Sequence, residues 1–130
     1  MNILKPVDIE NEIRKALTDY ITVYCRPLPE KFTVPSVLVA VSGGDSKSTI
    51  DRFAVTLQSR AEEDADAYEL LSVAIGLLEK QAQNQVGALR NVEINSLGSW
   101  GSDPVRPDLK LATATVIVTA HRENFTIPES

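Results

Sequence analysis

The stretch that decides the fold lies in the first half of the chain, at residues 37–57, and reads VLVAVSGGDSKSTIDRFAVTL. Its first five residues form a continuous apolar run, long enough for a buried strand and too short for a typical helix. Residues 42–46 supply turn chemistry. From Phe53 to Leu57 apolar residues alternate with more polar ones, as in a strand with one wet face. The stretch therefore predicts a β-hairpin with a long polar tip at residues 43–49.

Two amphipathic helices flank this hairpin in the sequence. Apolar side chains recur at helical spacing in residues 9–20 and again, more strongly, in residues 64–85. Cap residues are expected at the helix ends: Asp8 before the first helix, Asp64 or Asp66 at the start of the second, and Gly87 after it.

Three further strands are predicted, at residues 21–24, 89–94 and 109–122. In the last of them the residues from Leu111 to Thr119 at odd positions face one way, and the even positions face the other. Residues 96–108 are predicted to form an irregular loop and residues 124–130 a fraying tail. The order α-β-β-β-α-β-β predicts a single α+β domain over residues 1–130, an antiparallel β-sheet with two α-helices packed on one face.

Composition excludes several classes of protein. The 130 residues carry a net charge of −5, which argues against a dedicated nucleic-acid binder. One cysteine and one histidine are too few for a multi-ligand zinc site, so no metal or cofactor is expected. Acidic residues interrupt the first 17 positions, where a signal peptide needs an apolar core, and no stretch approaches the ~18 apolar residues of a membrane span. We expect a protein of a reducing cytoplasm with no membrane anchor.

The sharpest candidate for chemistry is the stretch Ser42-Gly43-Gly44-Asp45-Ser46. It resembles the pyrophosphate-binding loop of the ATP pyrophosphatase family, S-G-G-x-D-S, but lacks one residue between Gly44 and Asp45. It also fails the P-loop pattern. A phosphate loop should open a helix, whereas the following residues alternate like a strand. A hairpin tip is the favoured interpretation, and a small nucleotide-binding protein is the alternative.

No catalytic site is predicted, and the protein is expected not to be an enzyme. No serine lies in a nucleophile motif that could pair with His121, and Cys25 is expected to be a small core residue. A cluster of carboxylates could hold a hard cation, but its spacing matches no calcium loop and acidic residues stabilise a helix start unaided. The cluster comprises Glu62, Glu63, Asp64, Asp66 and Glu69.

Trp100 lies between flexible neighbours in the sequence GSWGS at residues 98–102. A tryptophan on a loop can anchor a partner. It can equally fold back to cover the sheet. The sequence leaves both interpretations open.

The whole pattern resembles a known family. The features that carry the likeness are a helix around residues 8–17, the proline-broken segment leading into PSVLV at 35–39, the Gly43-Gly44 turn, the strand at 53–57, the helix from 65–67 and Pro107-Asp108 before the last strand. In this order they resemble the tail terminator (tail completion, minor tail protein U-like) family of long-tailed bacteriophages. The resemblance implies a structural virion protein, made in the host cytoplasm, that forms a hexameric ring.

Such a ring would cap the tail tube, end its polymerisation and present a surface for head joining. The implied partners are further copies of the chain, the major tail tube protein and the head-tail connector protein, while DNA only passes through the lumen. Another head-tail connector or minor capsid protein is the nearest alternative. On this view the outer face of the sheet forms a contact between subunits, and the polar tip and Trp100 contact tube or connector. The candidate interaction residues are Gly43, Gly44, Asp45, Lys47, Arg52, Thr56, Gln58 and Trp100.

Overall fold

The chain folds into an α+β domain of nine helices and strands over the residues that the structure, a computed structural model, describes, which are 1–47 and 50–129. In chain order they are β1 (Asn2–Lys5), α1 (Ile9–Leu17), β2 (Val23–Cys25), β3 (Ser36–Lys47), β4 (Ile50–Ala61), α2 (Asp64–Gln83), β5 (Leu89–Ser102), β6 (Lys110–His121) and β7 (Glu123–Thr126). The predicted α+β class is confirmed, and two terminal strands are added to the predicted elements.

The main sheet has five strands in the order β2-β3-β4-β6-β5. Three of its four pairings are antiparallel, but β2 and β3 run parallel, so the sheet is mixed and the prediction of a purely antiparallel sheet is wrong. The reason lies in the connection between these two strands. The proline-rich residues 26–35 carry the chain back to the end at which β2 began, which a tight hairpin turn could not do.

Both helices pack on one face of this sheet. The core combines the buried side of each helix with alternate strand residues, including Val37, Val39 and Leu57. The predicted alternation in β6 is confirmed, because Ala112, Ala114, Val116, Val118 and Ala120 are fully buried while the residues between them are half-buried. The other face of the sheet, here called the open face, carries no helix in the described part of the chain.

The helix ends only partly follow the sequence prediction. Asp8 is the N-cap of α1, and its carboxylate accepts a hydrogen bond from the Asn11 amide at 3.3 Å, as predicted. For α2 the prediction of a capping aspartate is wrong, because the N-cap position is Glu63 and the candidates Asp64 and Asp66 lie inside the first turn. Gly87 is not the cap of α2 either, because the C-cap is Asn84 and the left-handed residue next to it is Gln85, at φ +55°; Gly87 lies two residues further on, at φ +58°.

The two ends of the chain pair with each other. β1 and β7 form an antiparallel ribbon in which Asn2 lies opposite Thr126 and Lys5 opposite Glu123. The Lys5 ammonium lies 2.9 Å from the Glu123 carboxylate. The prediction of a fraying tail is therefore wrong for residues 124–126. The paired residues are more than 115 positions apart in the sequence, so no local sequence pattern predicts the pairing.

The central hairpin is longer than predicted. β3 and β4 have 12 residues each, and residues 43–47 pair with residues 50–54. The predicted polar tip is thus mostly regular sheet, because residues 50–54 also pair with residues 117–121 of β6. This end of the hairpin, residues 43–47 and 50–54, is here called the arm, while Ser48 and Thr49 of the predicted tip lie outside the described residues. β5 likewise continues through Trp100, so the predicted loop is wrong for residues 96–102. Register shifts on both sides of Ser96 and a left-handed Gly98 disguise this strand in the sequence.

Candidate interaction surfaces

The glycines of the arm have a structural task. The register of β3 shifts between Val41 and Gly43, and Gly43 adopts φ +154°. A Cβ on Gly44 would overlap the carbonyl oxygen of Arg52 and lie 3.2 Å from the Cα of Phe53. A β-bulge next to a close approach of two backbones requires residues without a side chain. This accounts for the Gly-Gly pair, which leads into a strand and not into a helix.

The arm presents a small patch of mixed character on the open face. Asp45 lies opposite Arg52, and Lys47 lies opposite Ile50, so these four side chains share one face. The Arg52 guanidinium is 4.0 Å from the Asp45 carboxylate, and both are exposed. Ile50 is 42% exposed. The predicted alternation of residues 50–58 includes Ile50, but sequence reasoning did not name it among the interaction residues.

On its opposite side the arm is tied to the end of β6. The Arg122 guanidinium donates to both Asp51 carboxylate oxygens, at 3.1 Å each, and to the Ser46 hydroxyl at 2.8 Å. The hydrogen bonds from Arg122 hold the pKa of Asp51 below its usual value, against the opposing effect of burial. Beside this network lies an open groove of about 430 Å³ lined by Pro6, Phe53 and neighbouring residues of the arm.

The centre of the open face, formed by β3, β4 and β6, is uncharged. Thr56 lies opposite Thr115 and Gln58 opposite Thr113, and all four are half-buried. With Leu38, Ala40, Ala54 and Ile117 they make an uncharged area of mostly small, aliphatic or β-branched side chains. Three strands ~4.8 Å apart and about 20 Å long give roughly 300 Å² in projection.

At its other end the open face is closed by a buried ion pair. The Arg60 Nε lies 2.6 Å from the Asp103 carboxylate, and both side chains are over nine-tenths buried. Asp103 also accepts from the amides of Val105 and Arg106, at 2.8 and 3.1 Å. Burial would raise the pKa of Asp103, but these hydrogen bonds together hold it below its usual value. The pair therefore fastens the turn between β5 and β6 to β4, and Phe32 lies within 6.0 Å of the Arg60 guanidinium.

Trp100 lies on the helix side of the sheet. Its ring stacks on Tyr68 of α2, with 5.1 Å between ring centroids and 17° between planes. It is nevertheless 51% exposed. The side chain therefore folds back, onto α2, with about half of its surface in solvent, while its predicted contact with a partner stays a prediction.

A second groove lies between α2 and the residues that precede β3. Its apolar floor includes Val34, Pro35, Leu70 and Val73, and it encloses about 430 Å³. We call it the α2 groove. Val73 is 41% exposed, so part of the floor is open to solvent.

Carboxylates from the predicted acidic cluster stand along the α2 groove. Glu62, Asp66 and Glu69 line it, and among the described residues none of the three forms an ion pair. In the part of the chain that the structure covers, no three His, Cys, Asp or Glu side chains lie close enough together to hold a metal ion. The acidic residues thus form a negative rim around an apolar floor.

The two residues considered for nucleophilic chemistry lie far from a catalytic arrangement. The Cys25 thiol donates to the Glu10 carbonyl oxygen at 3.4 Å, and burial raises its pKa, which lowers the thiolate fraction. His121 is exposed at the end of β6, opposite Ile50.

Neither helix of the described residues is long and apolar enough to cross a membrane.

The structure brings most of the predicted interaction residues together. Asp45, Lys47, Arg52, Thr56 and Gln58 all share the open face, in a continuous path from the arm to the sheet centre. The two glycines shape the arm, and Trp100 lies on the opposite side of the sheet.

Comparison with protein-family models and with curated proteins finds no match.

Proposed function

We propose that the chain is a structural subunit of a bacteriophage tail, a tail terminator that assembles into a ring of about six copies. The observation that carries the proposal is the open face, whose uncharged centre runs into the exposed arm without a covering helix. The solvated face of an antiparallel sheet normally carries polar and charged side chains. Depletion of charge at the centre of a surface is typical of protein interfaces.

In this role the ring caps the tail tube, stops addition of tube protein and offers its other side to the head connector. DNA passes through the lumen and is not a ligand. The net charge of −5 suits that passage, because a negative wall does not retain the phosphate backbone. The location is the virion tail.

The size of the open face bears on how the ring closes. A stable interface buries about 800 Å² on each partner. The uncharged centre supplies roughly 300 Å² in projection, less than half of that. A closed ring also requires two different surfaces on each subunit. The sheet centre therefore acts together with a second contact region in each subunit.

The proposal is tested by measuring the mass of the purified protein over a wide concentration range, with electron imaging of the particles. We expect rings of about six subunits. Thr56→Arg places a charge at the centre of the open face and is expected to abolish rings while the circular dichroism spectrum stays unchanged. Thr18→Arg, at the exposed end of α1, is the matched control and should assemble normally.

Two results would contradict the proposal. A monomer at every concentration, alone and with tail tubes, would rule out the ring. Thermal stabilisation by ATP and Mg²⁺ would instead support the nucleotide-binding alternative, since a ligand at 100 times its dissociation constant stabilises by about 2.7 kcal/mol. A polymerisation assay distinguishes the connector alternative. A terminator stops the polymerisation of purified tube protein, whereas a connector protein does not.

A further inference from the structure

We propose that the α2 groove receives the arm of a second copy of this chain, so that each subunit offers its arm to one neighbour and its groove to the other. The inference rests on the ring function proposed above and names the second contact region that the ring needs. Its basis is the match between two surfaces that are each unpartnered in the described chain.

The groove offers an apolar floor to an incoming side chain. Val34 and Leu70 are half-buried in it, and Val73 is 41% exposed. A volume of about 430 Å³ is ample for one aliphatic residue and the stems of its neighbours. At about 25 cal/mol per Å² of apolar surface, filling the groove favours association.

The arm carries an aliphatic residue in the required setting. Ile50 is 42% exposed and lies beside Lys47 across the strand pair, with Arg52 two residues further along the same face. The Asp45 carboxylate lies 4.0 Å from the Arg52 guanidinium and offsets one of the two positive charges of Lys47 and Arg52. The patch therefore keeps a net positive charge.

Charge complementarity favours the contact between arm and groove over other contacts between two copies. The chain carries −5 overall, so two copies repel on approach unless a cationic area of one meets an anionic area of the other. The rim formed by Glu62, Asp66 and Glu69 is anionic, and the patch around Ile50 is cationic. An apolar residue flanked by cations thus fits an apolar floor flanked by carboxylates.

Distance excludes the chain's own arm as the occupant. The groove lies beside Pro35 and Ala61, at the start of β3 and the end of β4, whereas the arm is formed by the other ends of the same strands. Eleven residue steps from Ser36 to Lys47, at ~3.3 Å each, separate the two by about 35 Å. The arm therefore reaches only the groove of another copy, in a head-to-tail contact.

The test uses two complementary charge reversals in the full chain. The arm variant combines Lys47→Glu with Arg52→Glu, and the groove variant combines Glu62→Lys with Glu69→Lys. All four side chains are exposed, so both variants are expected to fold. We expect each variant alone to raise the dissociation constant for self-association at least about tenfold. Arg14→Glu with Lys80→Glu changes net charge as much as the arm variant does and is the control.

Mixing the two variants in equal amounts decides the question. Each arm then meets a groove of opposite charge, and rings of alternating composition are expected at a dissociation constant within about threefold of the parent. A parent ring that neither variant weakens, or a mixture that does not recover, overturns the arm-to-groove contact and leaves the ring function standing. A parent that never assembles overturns both.

Discussion

Removal of the Asp103 side chain should destabilise the fold by about 3–5 kcal/mol. The carboxylate accepts from Arg60 Nε at 2.6 Å and from two backbone amides, and both ion-pair side chains are over nine-tenths buried. Asp103→Ala leaves the Arg60 charge buried without its partner, which is the costly way to break such a pair. Chains of this length are stable by roughly 7–20 kcal/mol, so the variant loses a large share of its stability.

The assay is urea unfolding followed by circular dichroism, with a thermal scan beside it. A loss of 3–5 kcal/mol corresponds to a melting temperature about 10–20 °C lower for a domain of this size. Asp108→Ala is the control, because its carboxylate pairs with Arg106 at 3.2 Å in an exposed position and should cost less than about 1 kcal/mol.

A double replacement separates loss of the charge pair from loss of packing. Arg60→Met with Asp103→Leu removes both charges and keeps an apolar filling, so it should be more stable than Asp103→Ala. The reasoning is refuted if Asp103→Ala unfolds within about 1 kcal/mol of the parent. It is equally refuted if the double variant is the less stable of the two.

Three further predictions follow from the arm, the aromatic stack and the lowered carboxyl pKa values. Gly44→Val should accelerate amide hydrogen exchange across the arm because its Cβ overlaps the partner strand, while Gly76→Ala, with open space in a helix, should stabilise by about 0.5–1 kcal/mol in urea unfolding. Trp100→Ala should cost about 1.5–3 kcal/mol in thermal unfolding, the sum of the buried half of the ring and its stack on Tyr68, and a loss of the whole fold would show a core role instead. Asp51 and Asp103 have lowered folded-state pKa values, so their contribution is complete above their unfolded values near 3.9 and is lost as pH falls through the folded ones. Unfolding scans below about pH 4 should therefore show falling stability, with a shallower fall in Asp51→Asn.

Local periodicity explains what could be predicted from the sequence. The helix at Ile9–Leu17, the helix at Asp64–Gln83 and the alternation of β6 each follow from side chains within a few residues of one another. The open face was foreseen through Arg52, Thr56 and Gln58 for the same reason, because strand alternation alone assigns a residue to a face.

Contacts between distant residues explain what was missed. β1 and β7 pair only because the chain ends meet, and Trp100 belongs to a strand whose register shifts hide its period. The α2 groove requires Val34 and Leu70 to come together from separate elements, and neither residue is unusual in its own segment. The acidic cluster could be identified from the sequence, but the apolar floor that it borders could not.

The placement of the two proposed contact regions constrains what the chain can build. An interface in which the same patch meets itself closes after two copies, whereas arm and groove are different surfaces at opposite ends of one hairpin. Each added copy therefore leaves one arm and one groove free until the last copy meets the first. The number of copies is then fixed by the angle between arm and groove, which the bulge before Gly43 holds at the base of the arm and the Arg122–Asp51 ion pair holds near its far end. Weakening that ion pair with Arg122→Ala should broaden the distribution of ring sizes and leave the affinity of one copy for the next largely unchanged, a result that mass measurement on assembled particles can read directly.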